Sequence, residues 1–379
     1  MGHSLNLLMT NYMETTAPGG VSKTVGMLAE NLSSGGHEVT VLQPNPGRLP
    51  SSETIGKYKL IRVGSESANY LYGFDSKANS YLSLHINELS PDLVHVHGYH
   101  SLFSFGMMLS IIRSRPDLPI VFSPHFDVRN HTTLAGKYLW KAYNVAVGET
   151  LGRWSDCIVA CSKFEARNIL SSLSVPERKL ATIGHGVGDI RPWKRKSRTE
   201  EVRLIYAGYL LKGKGVQHAL NALAFIIQRK EAGANLTVIG EGPYEAHLRR
   251  LSVRLGVDRH VCWMRFLPVD ELHAAVAAAD IFLLPSQSEA YGIVVAESLA
   301  LGTPVIVANT TALSEFLIEP GCYGVGHPPD AAELGGLILD VWQQNPRVGP
   351  LSSRIRAWKE VASTYEELYS EVLRRTPVR

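Results

Sequence analysis

The feature that most constrains the fold of this chain is a regular alternation of short, β-branched runs with amphipathic helical stretches. Strands that alternate with helices form parallel sheets, because each helix crosses over to carry the chain back to the next strand. Candidate strands cover residues 5–9, 38–42, 60–63, 93–97, 120–123 and 157–161 in the first half, and 202–207, 236–240, 281–285 and 304–308 in the second. The pattern therefore predicts an α/β protein with two successive doubly wound, Rossmann-like domains.

The length of the chain agrees with that division. A chain of 379 residues is longer than one hydrophobic core usually organises. The break between the two blocks falls near residues 189–200, where residues 191–198 (RPWKRKSR) hold five basic residues and a proline. We interpret this segment as a solvated linker; a patch that binds phosphate or lipid is the alternative. An N-terminal domain is thus predicted over residues 1–190 and a C-terminal domain over residues 200–357.

Composition argues against several classes of protein. The net charge of +3 is not that of a dedicated nucleic-acid binder. No apolar run reaches the roughly 18 residues that span a bilayer, and the N-terminal segment lacks the basic start of a secretory signal. The four cysteines lack the paired C-x-x-C spacing of zinc sites, so we expect free thiols in a cytoplasmic protein.

Two glutamates mark the strongest local motif, SEAYGIVVAESLALGTPVI at residues 288–306. Glu289 precedes a helix that is predicted to start near Gly292, and Glu297 lies inside that helix. The free N–H groups of the helix start favour a diphosphate, and the two carboxylates can accept hydrogen bonds from sugar and ribose hydroxyls. The alternative is a helix-start carboxylate and a solvated residue, but Glu297 is flanked by apolar residues and a carboxylate there needs a partner.

Two lysines lie in a second loop that follows a strand. Lys212 and Lys214 stand between glycines in AGYLLKGKGV, residues 207–216, just before a predicted helix. A lysine above a helix N-terminus is suited to hold a diphosphate. The sequence therefore predicts an anion-binding loop at this strand end.

Paired glycines follow two further strands. Gly240 and Gly242 lie in GEGP and indicate a loop before another helix. Gly19 and Gly20 precede the first helix, where a phosphate-binding helix start and a plain tight turn fit the sequence equally well.

Histidines end two strands of the first half. His95 and His97 alternate in LVHVH, and His125 follows IVFSP. No D-x-D or H-E-x-x-H motif accompanies them, so we expect no metal site. His125, at a strand end, is the candidate for chemistry; a core histidine with its hydrogen bonds satisfied is the alternative.

The order of these motifs over nearly the whole chain resembles glycosyltransferase family 4, the retaining GT-B enzymes. The C-terminal helix predicted over residues 351–373, with Trp358, Tyr365 and Tyr369, is similar to the last helix of that family, which crosses back to the N-terminal domain. The resemblance implies two Rossmann-like domains that face each other across a cleft, with residues from about 358 to 379 completing the N-terminal domain.

The resemblance also implies a role for each motif. His125 would sit near the reacting sugar, Lys214 would pair with the diphosphate, Glu289 would hold the donor sugar and Glu297 would bind the ribose, while the base would lie against residues 265–267. The residues implied in donor binding are Gly19, Gly20, Tyr209, Lys214, Gly240, Gly242, Arg265, Phe266, Leu267, Glu289, Ala290, Tyr291, Gly292, Ile293 and Glu297.

Family members need no bound metal or cofactor, and the leaving phosphate helps to take the acceptor proton, so that substitution retains the anomeric configuration. The resemblance thus implies a hexosyltransferase that uses a nucleotide-sugar donor, with UDP favoured over GDP, and a glycan, lipid or small-molecule acceptor. A nucleotide-sugar epimerase and a nucleotide-sugar-binding protein without turnover are the alternatives.

The chain departs from the family pattern at three places. Tyr209 stands where the family has an arginine, Thr311-Ala312 replaces the glycine pair before Glu315, and His185-Gly186 replaces asparagine-glycine. The first departure removes one of two phosphate cations and motivates the binding-protein alternative.

Peripheral contact with the inner membrane surface is an open expectation for the segment 134–154. An ordinary packed helix is its alternative. The segment bears Lys137, Tyr138, Trp140, Lys141, Tyr143 and Arg153 at helical spacing.

Overall fold

We describe the protein from a computed structural model. The structure describes residues 4–15, 19–45, 47, 49–64, 73–126, 134–188, 190, 200–230 and 232–375. The basic segment 191–198 and the residues Ala17 and Pro18, which precede Gly19, lie outside the described residues. The chain divides into two compact units: residues 1–186 together with 358–379 form unit 1, and residues 187–357 form unit 2.

Unit 1 is built on one eight-stranded sheet. Its strands are β1 (Asn6–Thr10), β2 (Glu38–Pro44), β3 (Ser52–Ile55), β4 (Tyr58–Val63), β5 (Leu93–His97), β6 (Ile120–Ser123), β7 (Cys157–Ala160) and β8 (Leu180–Thr182). They lie in the order β3-β4-β2-β1-β5-β6-β7-β8, and every pair is parallel except β3 with β4. The strand order reverses between β1 and β5, which makes this edge the place where a doubly wound sheet binds ligands.

Helices cover both faces of this sheet. They are α1 (Gly20–Ser34), α2 (Ser76–Leu89), α3 (Leu102–Ser114), α4 (Leu134–Tyr143), α5 (Glu149–Trp154) and α6 (Lys163–Ser172). Because successive side chains of a strand point to opposite faces, Leu8 packs with Phe103 on one face and Met9 packs with Leu28 on the other. Gly35 is the C-cap residue that ends α1.

Unit 2 contains a six-stranded, entirely parallel sheet. Its strands are β9 (Glu201–Ala207), β10 (Gly233–Ile239), β11 (Val261–Met264), β12 (Ile281–Leu284), β13 (Val305–Ala308) and β14 (Cys322–Val325), and its helices are α7 (Val216–Arg229), α8 (Glu245–Arg254), α9 (Val269–Ala278), α10 (Ile293–Ala300) and α11 (Ala331–Gln344). The order β11-β10-β9-β12-β13-β14 reverses between β9 and β12. Both sheets confirm the predicted α/β class with Rossmann-like domains.

The last helix, α12 (Trp358–Arg375), belongs to unit 1. It buries Trp358, Val361, Tyr365 and Tyr369 against the face of the sheet that α1 also covers. The prediction that this helix starts near residue 351 is wrong. Ser352 instead donates its backbone N–H to the buried Glu319 carboxylate at 2.8 Å, which holds the chain before α12 in an irregular conformation.

The segment 134–154 is not one regular helix, because a π-helical turn, Asn144–Gly148, separates α4 from α5. Trp140 and Tyr143 pack edge-on against the buried Tyr99 ring, with centroids 5.5 and 5.4 Å away, and the Tyr143 hydroxyl donates to the Tyr99 carbonyl. These aromatics therefore serve packing within unit 1. Among the described residues, no helix is long and apolar enough to cross a membrane.

Candidate functional site

Two loops of unit 2 meet where its strand order reverses. The loop after β9 carries Lys214, and the loop after the neighbouring strand β12 carries Glu289. The loops are hydrogen-bonded to each other, because the backbone N–H of Gln287 and the Ser286 hydroxyl both donate to the Gly213 carbonyl, at 2.7 and 3.1 Å. Ligands of doubly wound sheets bind at this kind of reversal, so these loops form the candidate site of unit 2.

Lys214 and Glu289 form the charged centre of this site. The lysine Nζ donates to Glu289 Oε1 at 2.7 Å, and the two side chains are 28% and 14% exposed. Lys212, in the same short 3₁₀ turn, is exposed to solvent. The structure therefore brings together two residues that lie 75 positions apart in the sequence.

Glycine is required where these loops approach other backbone. Gly215 has a φ of +83°, and a Cβ there would lie 2.1 Å from the Pro285 carbonyl oxygen. Gly240 has a φ of +138°, and its Cβ would lie 2.0 Å from the Gly208 oxygen. Any side chain at either position would push the loops apart, because real Cβ atoms do not approach backbone oxygens so closely.

Both helices that begin at this site start from a glycine. Gly215 precedes α7 and Gly292 precedes α10, and neither helix has a side-chain cap on its first N–H groups. No acidic residue lies in the first turn of either helix. Uncapped N-termini carry partial positive charge and open N–H donors, which suit a phosphate group.

Glu297 is buried inside α10, with 3% of the residue exposed. The His273 Nε2 atom lies 4.0 Å from its Oε1 atom. The interpretation of Glu297 as a solvated surface residue is therefore wrong, and its carboxylate meets the expected need for a partner. Between the two glutamates, Tyr291 is buried edge-on against Phe316, with centroids 5.4 Å apart, while Ala290 and Ile293 are partly exposed.

A second group of predicted residues surrounds Tyr209. This residue is 40% exposed, and its ring lies edge-on to Phe266 with a centroid distance of 5.4 Å. The buried Tyr206 hydroxyl donates to the Tyr209 carbonyl at 2.9 Å, which fixes the backbone there. Burial, and then the Glu289 carboxylate, raise the pKa of Tyr206, so its hydroxyl keeps its proton.

Arg265 and Leu267 flank Phe266 on the loop after β11. Arg265 is paired with Glu241, the residue between the two glycines of GEGP, and its side chain is 86% exposed. Leu267 is half-buried. The loops after β10 and β11 thus present an aromatic and charged edge on the β9–β10–β11 half of the sheet.

The family departure around Glu315 has a local explanation. The Thr311 hydroxyl caps a 3₁₀ turn by accepting from the Leu313 N–H, and Glu315 Oε2 accepts from Arg354 Nη1 at 2.7 Å. The backbone N–H of Ala312 lies 3.3 Å from the Glu289 carbonyl. Ala312 therefore supports the Glu289 loop through its backbone, and Thr311 caps the turn that holds Ala312 in place.

Unit 1 gathers four histidines, which lie in β5, just after β6 and just after the edge strand β8. We call His95, His97, His125 and His185 the histidine cluster. His97 Nδ1 lies 3.2 Å from His125 Nε2, and the rings of His125 and His185 are 5.7 Å apart. His95 is bound on both ring nitrogens, by the Tyr369 hydroxyl at 2.7 Å and the Ser123 hydroxyl at 2.8 Å.

All four rings of the histidine cluster are held neutral. Burial is the main cause, and neighbouring histidines add to it: the pKa of His95 is lowered to about 3 and that of His125 to about 4. The pKa values of His97 and His185 are lowered well below the ordinary value for the same reasons. At neutral pH these rings therefore act as hydrogen-bonding groups without charge.

Gly19 and Gly20 begin α1 beside this cluster. Gly19 has a φ of +146° and no side chain caps the helix, so its first N–H groups are open. Thr24, in the second turn of α1, lies 3.5 Å from His185 Nδ1. The start of α1, His185 and His125 are thus neighbours in unit 1.

Sequence reasoning missed one residue, Glu165, which holds the backbone next to the histidine cluster. Glu165 is fully buried, and its carboxylate accepts from the backbone N–H groups of Phe126 at 2.5 Å and Cys161 at 2.6 Å. The pattern S-x-x-E, from Ser162 to Glu165, is a signal for a helix capping box. It does not reveal that the carboxylate also holds the residue that follows His125.

Among the described residues, no three His, Cys, Asp or Glu side chains are grouped so that they could hold a metal ion.

Two protein-family models together match most of the chain. The model of Glycosyltransferase Family 4 matches residues 18–189, and the model of Glycosyl transferases group 1 matches residues 189–357. Glycogen synthase of Mycobacterium tuberculosis is 27% identical in an alignment that covers 93% of this chain and 91% of that protein.

Two further proteins are similar over most of their length. The GDP-mannose-dependent alpha-(1-6)-phosphatidylinositol dimannoside mannosyltransferase of Mycobacterium tuberculosis is 25% identical, over 83% of this chain and 82% of its own. The solved structure of Anabaena HepE in complex with UDP and glucose superposes with a TM-score of 0.71 at 14% identity, and covers 97% of this chain and 99% of that one. The likeness to the HepE structure shows that the fold is GT-B.

Proposed function

The chain belongs to glycosyltransferase family 4, and we propose that it moves a hexose from a nucleotide-sugar, UDP-linked in preference to GDP-linked, onto an acceptor with retention of configuration. The observation that carries this proposal is the meeting of Lys214 and Glu289, 2.7 Å apart, at the strand-order reversal of unit 2. A cation for the diphosphate and a carboxylate for the sugar stand there beside two uncapped helix starts.

The donor is proposed to lie along α10. Glu289 accepts hydrogen bonds from the sugar hydroxyls, the open N–H groups after Gly292 face the diphosphate, and Glu297 binds the ribose. Glu289 lies four residues before the first residue of α10 and Glu297 lies four residues into the helix, so the helical part between them rises about 6 Å. The non-helical residues ahead of α10 add to this separation, and the diphosphate is proposed to lie along it, between the sugar and the ribose.

Lys214 changes partner when the donor arrives. In the protein alone its ammonium is bound to Glu289. A diphosphate carries more negative charge than one carboxylate, so the lysine turns toward the phosphates and releases Glu289 to the sugar. The charge that builds on the diphosphate as the glycosidic bond breaks is then met by Lys214 and the helix N-termini, and no metal ion is needed.

The aromatic edge around Tyr209 and Phe266 is proposed to contact the base or the phosphates. Tyr209 has no charge at neutral pH, so it replaces the family's arginine as a hydrogen-bond donor or a stacking surface. His125 is proposed to act near the reacting sugar as a neutral hydrogen-bonding group, because its pKa is lowered to about 4.

A panel of UDP- and GDP-hexoses tests this function and its alternatives together. Free nucleotide and sugar are measured after incubation with the wild-type protein, since transferases leak some donor to water. Release that is fastest with a UDP-hexose supports the proposal. A donor that binds but is never split would indicate a binding protein, and recovery of an epimerised nucleotide-sugar would indicate an epimerase.

A further inference from the structure

The rings of His97 and His125 contact each other. Within the described part of the chain, this contact is the only hydrogen bond that the His125 ring makes. His97 Nδ1 and His125 Nε2 are 3.2 Å apart, and the two ring planes are 17° from parallel. A neutral imidazole donates from one nitrogen and accepts at the other, so one of these two nitrogens carries the shared proton. Its position decides what His125 can offer to a ligand.

From this contact, and resting on the proposed function, we propose that His97 is a positioning residue: it donates from Nδ1 to His125 Nε2 and thereby fixes His125 as the tautomer that presents Nδ1–H to the donor sugar or its phosphate. His125 is then a hydrogen-bond donor at the reacting centre. It is not a base that takes the acceptor proton through Nε2.

The direction of the shared hydrogen bond follows from the far side of the His97 ring. His97 is 0% exposed, and its Nε2 atom has no hydrogen-bond partner among the residues that the structure describes. If His125 donated to His97, the proton of His97 would sit on Nε2 as a buried N–H with no acceptor in the described part of the chain. Buried N–H groups without partners are rarer and more costly than buried acceptors without partners. The proton therefore belongs on His97 Nδ1.

Neither ring carries a second proton at pH 7, so each has one protonated and one unprotonated nitrogen. Burial lowers the pKa of His97 well below its ordinary value and that of His125 to about 4, so both are neutral at pH 7. The nitrogen that is protonated in a neutral histidine is set by the hydrogen bond of the other nitrogen. With His125 Nε2 occupied as an acceptor, its Nδ1 carries the proton.

The backbone of His125 is held as firmly as its ring. Its φ of +51° lies in the left-handed region, which a residue with a side chain adopts only when its surroundings hold it there. The Phe126 N–H, one residue on, donates to the buried Glu165 carboxylate at 2.5 Å. Glu165 thus fixes the backbone while His97 fixes the ring, and together they leave His125 one orientation.

Nitrogen NMR of the wild-type protein tests the tautomer without reference to any reaction. Histidine nitrogens are labelled with ¹⁵N, the His125 signals are assigned by their loss in His125→Gln, and long-range ¹H–¹⁵N spectra are recorded at pH 7. We expect a protonated Nδ1 and an unprotonated Nε2 for His125. A protonated Nε2, or a charged ring, would overturn the proposal.

Three variants test the consequence for transfer. His97→Leu removes the donor, His97→Asn keeps an N–H near the position of Nδ1, and Tyr369→Phe, the matched control, removes a neighbouring buried hydrogen bond to His95. We expect His97→Leu to lower kcat about 10²-fold with little change in donor KM, because a small misplacement of a reacting group has this size of effect. His97→Asn should recover most of the loss, and Tyr369→Phe should keep the wild-type kcat.

Equal kcat values for His97→Leu and Tyr369→Phe would contradict the inference, as would a failure of asparagine to rescue. If His97→Leu does not fold, the tautomer of the wild-type protein decides. Absence of turnover by the wild-type protein with every nucleotide-sugar would instead refute the proposed function, and the NMR result would still stand for the tautomer.

Discussion

Lys214→Ala is the substitution from which we expect the largest loss of transfer. The Lys214 ammonium, 28% exposed and 2.7 Å from Glu289, is the side-chain cation at the start of α7, and Tyr209 supplies no second charge. A preorganised group that stabilises developing charge contributes about 3 kcal/mol to the transition state. Each 1.36 kcal/mol corresponds to about tenfold in rate, so kcat should fall by about 150-fold.

Lys212→Ala is the matched control, because it removes the same charge from the same 3₁₀ turn at an exposed position. The assay is kcat with saturating donor, measured by nucleotide release, with thermal unfolding as a check on the fold. We expect only a small loss for Lys212→Ala. Retention of more than about a tenth of the wild-type kcat by Lys214→Ala, a loss of less than about 1.4 kcal/mol, would refute the lysine-centred clamp.

Four further outcomes follow from the same geometry. Glu297→Ala should weaken binding of free UDP and leave the fold intact, as measured by calorimetric titration; unchanged affinity would remove Glu297 from the site. His125→Ala should lower kcat far more than donor affinity, and a variant with near-wild-type turnover would exclude His125 from the reacting centre. Activity should survive EDTA, because Lys214 and the helix starts meet the phosphate charge; a loss that magnesium or manganese restores would contradict this. The folded protein keeps the rings of the histidine cluster neutral, whereas in the unfolded chain the same rings bind protons below about pH 6.5. Each fully buried member should therefore lower the free energy of unfolding by about 1.4 kcal/mol by pH 5.5, and denaturant midpoints that stay unchanged between pH 7 and 5.5 would contradict this.

The class of fold and most of its elements could be predicted because they follow from local patterns. Alternating apolar runs predict β9 and β12, and the glycine at 292 marks where α10 begins. Strands with weak local patterns could not be predicted: β11 alternates half-buried with exposed residues, and β14 contains glycine and a cysteine. Such strands exist because the sheet beside them offers hydrogen bonds, which is a tertiary effect.

Contacts of the candidate site were predictable only in part. The glutamate pair and Lys214 are visible as motifs, but their meeting depends on β9 lying next to β12, which long-range packing decides. Glu165 illustrates the limit. Its capping box can be seen in the sequence, whereas its bond to the Phe126 N–H requires the chain to bring two distant loops together.

The configuration of the sugar that the protein releases tests the central claim most directly. Wild-type protein is incubated with the UDP-hexose that it splits fastest, and the anomeric proton of the first free sugar is observed by ¹H NMR before mutarotation. Retention at the site centred on Lys214 and Glu289 predicts that the α-linked donor yields the α-anomer, and that Lys214→Ala and Glu289→Gln greatly reduce its release. Initial formation of the β-anomer, or release that persists in both variants, would contradict the account.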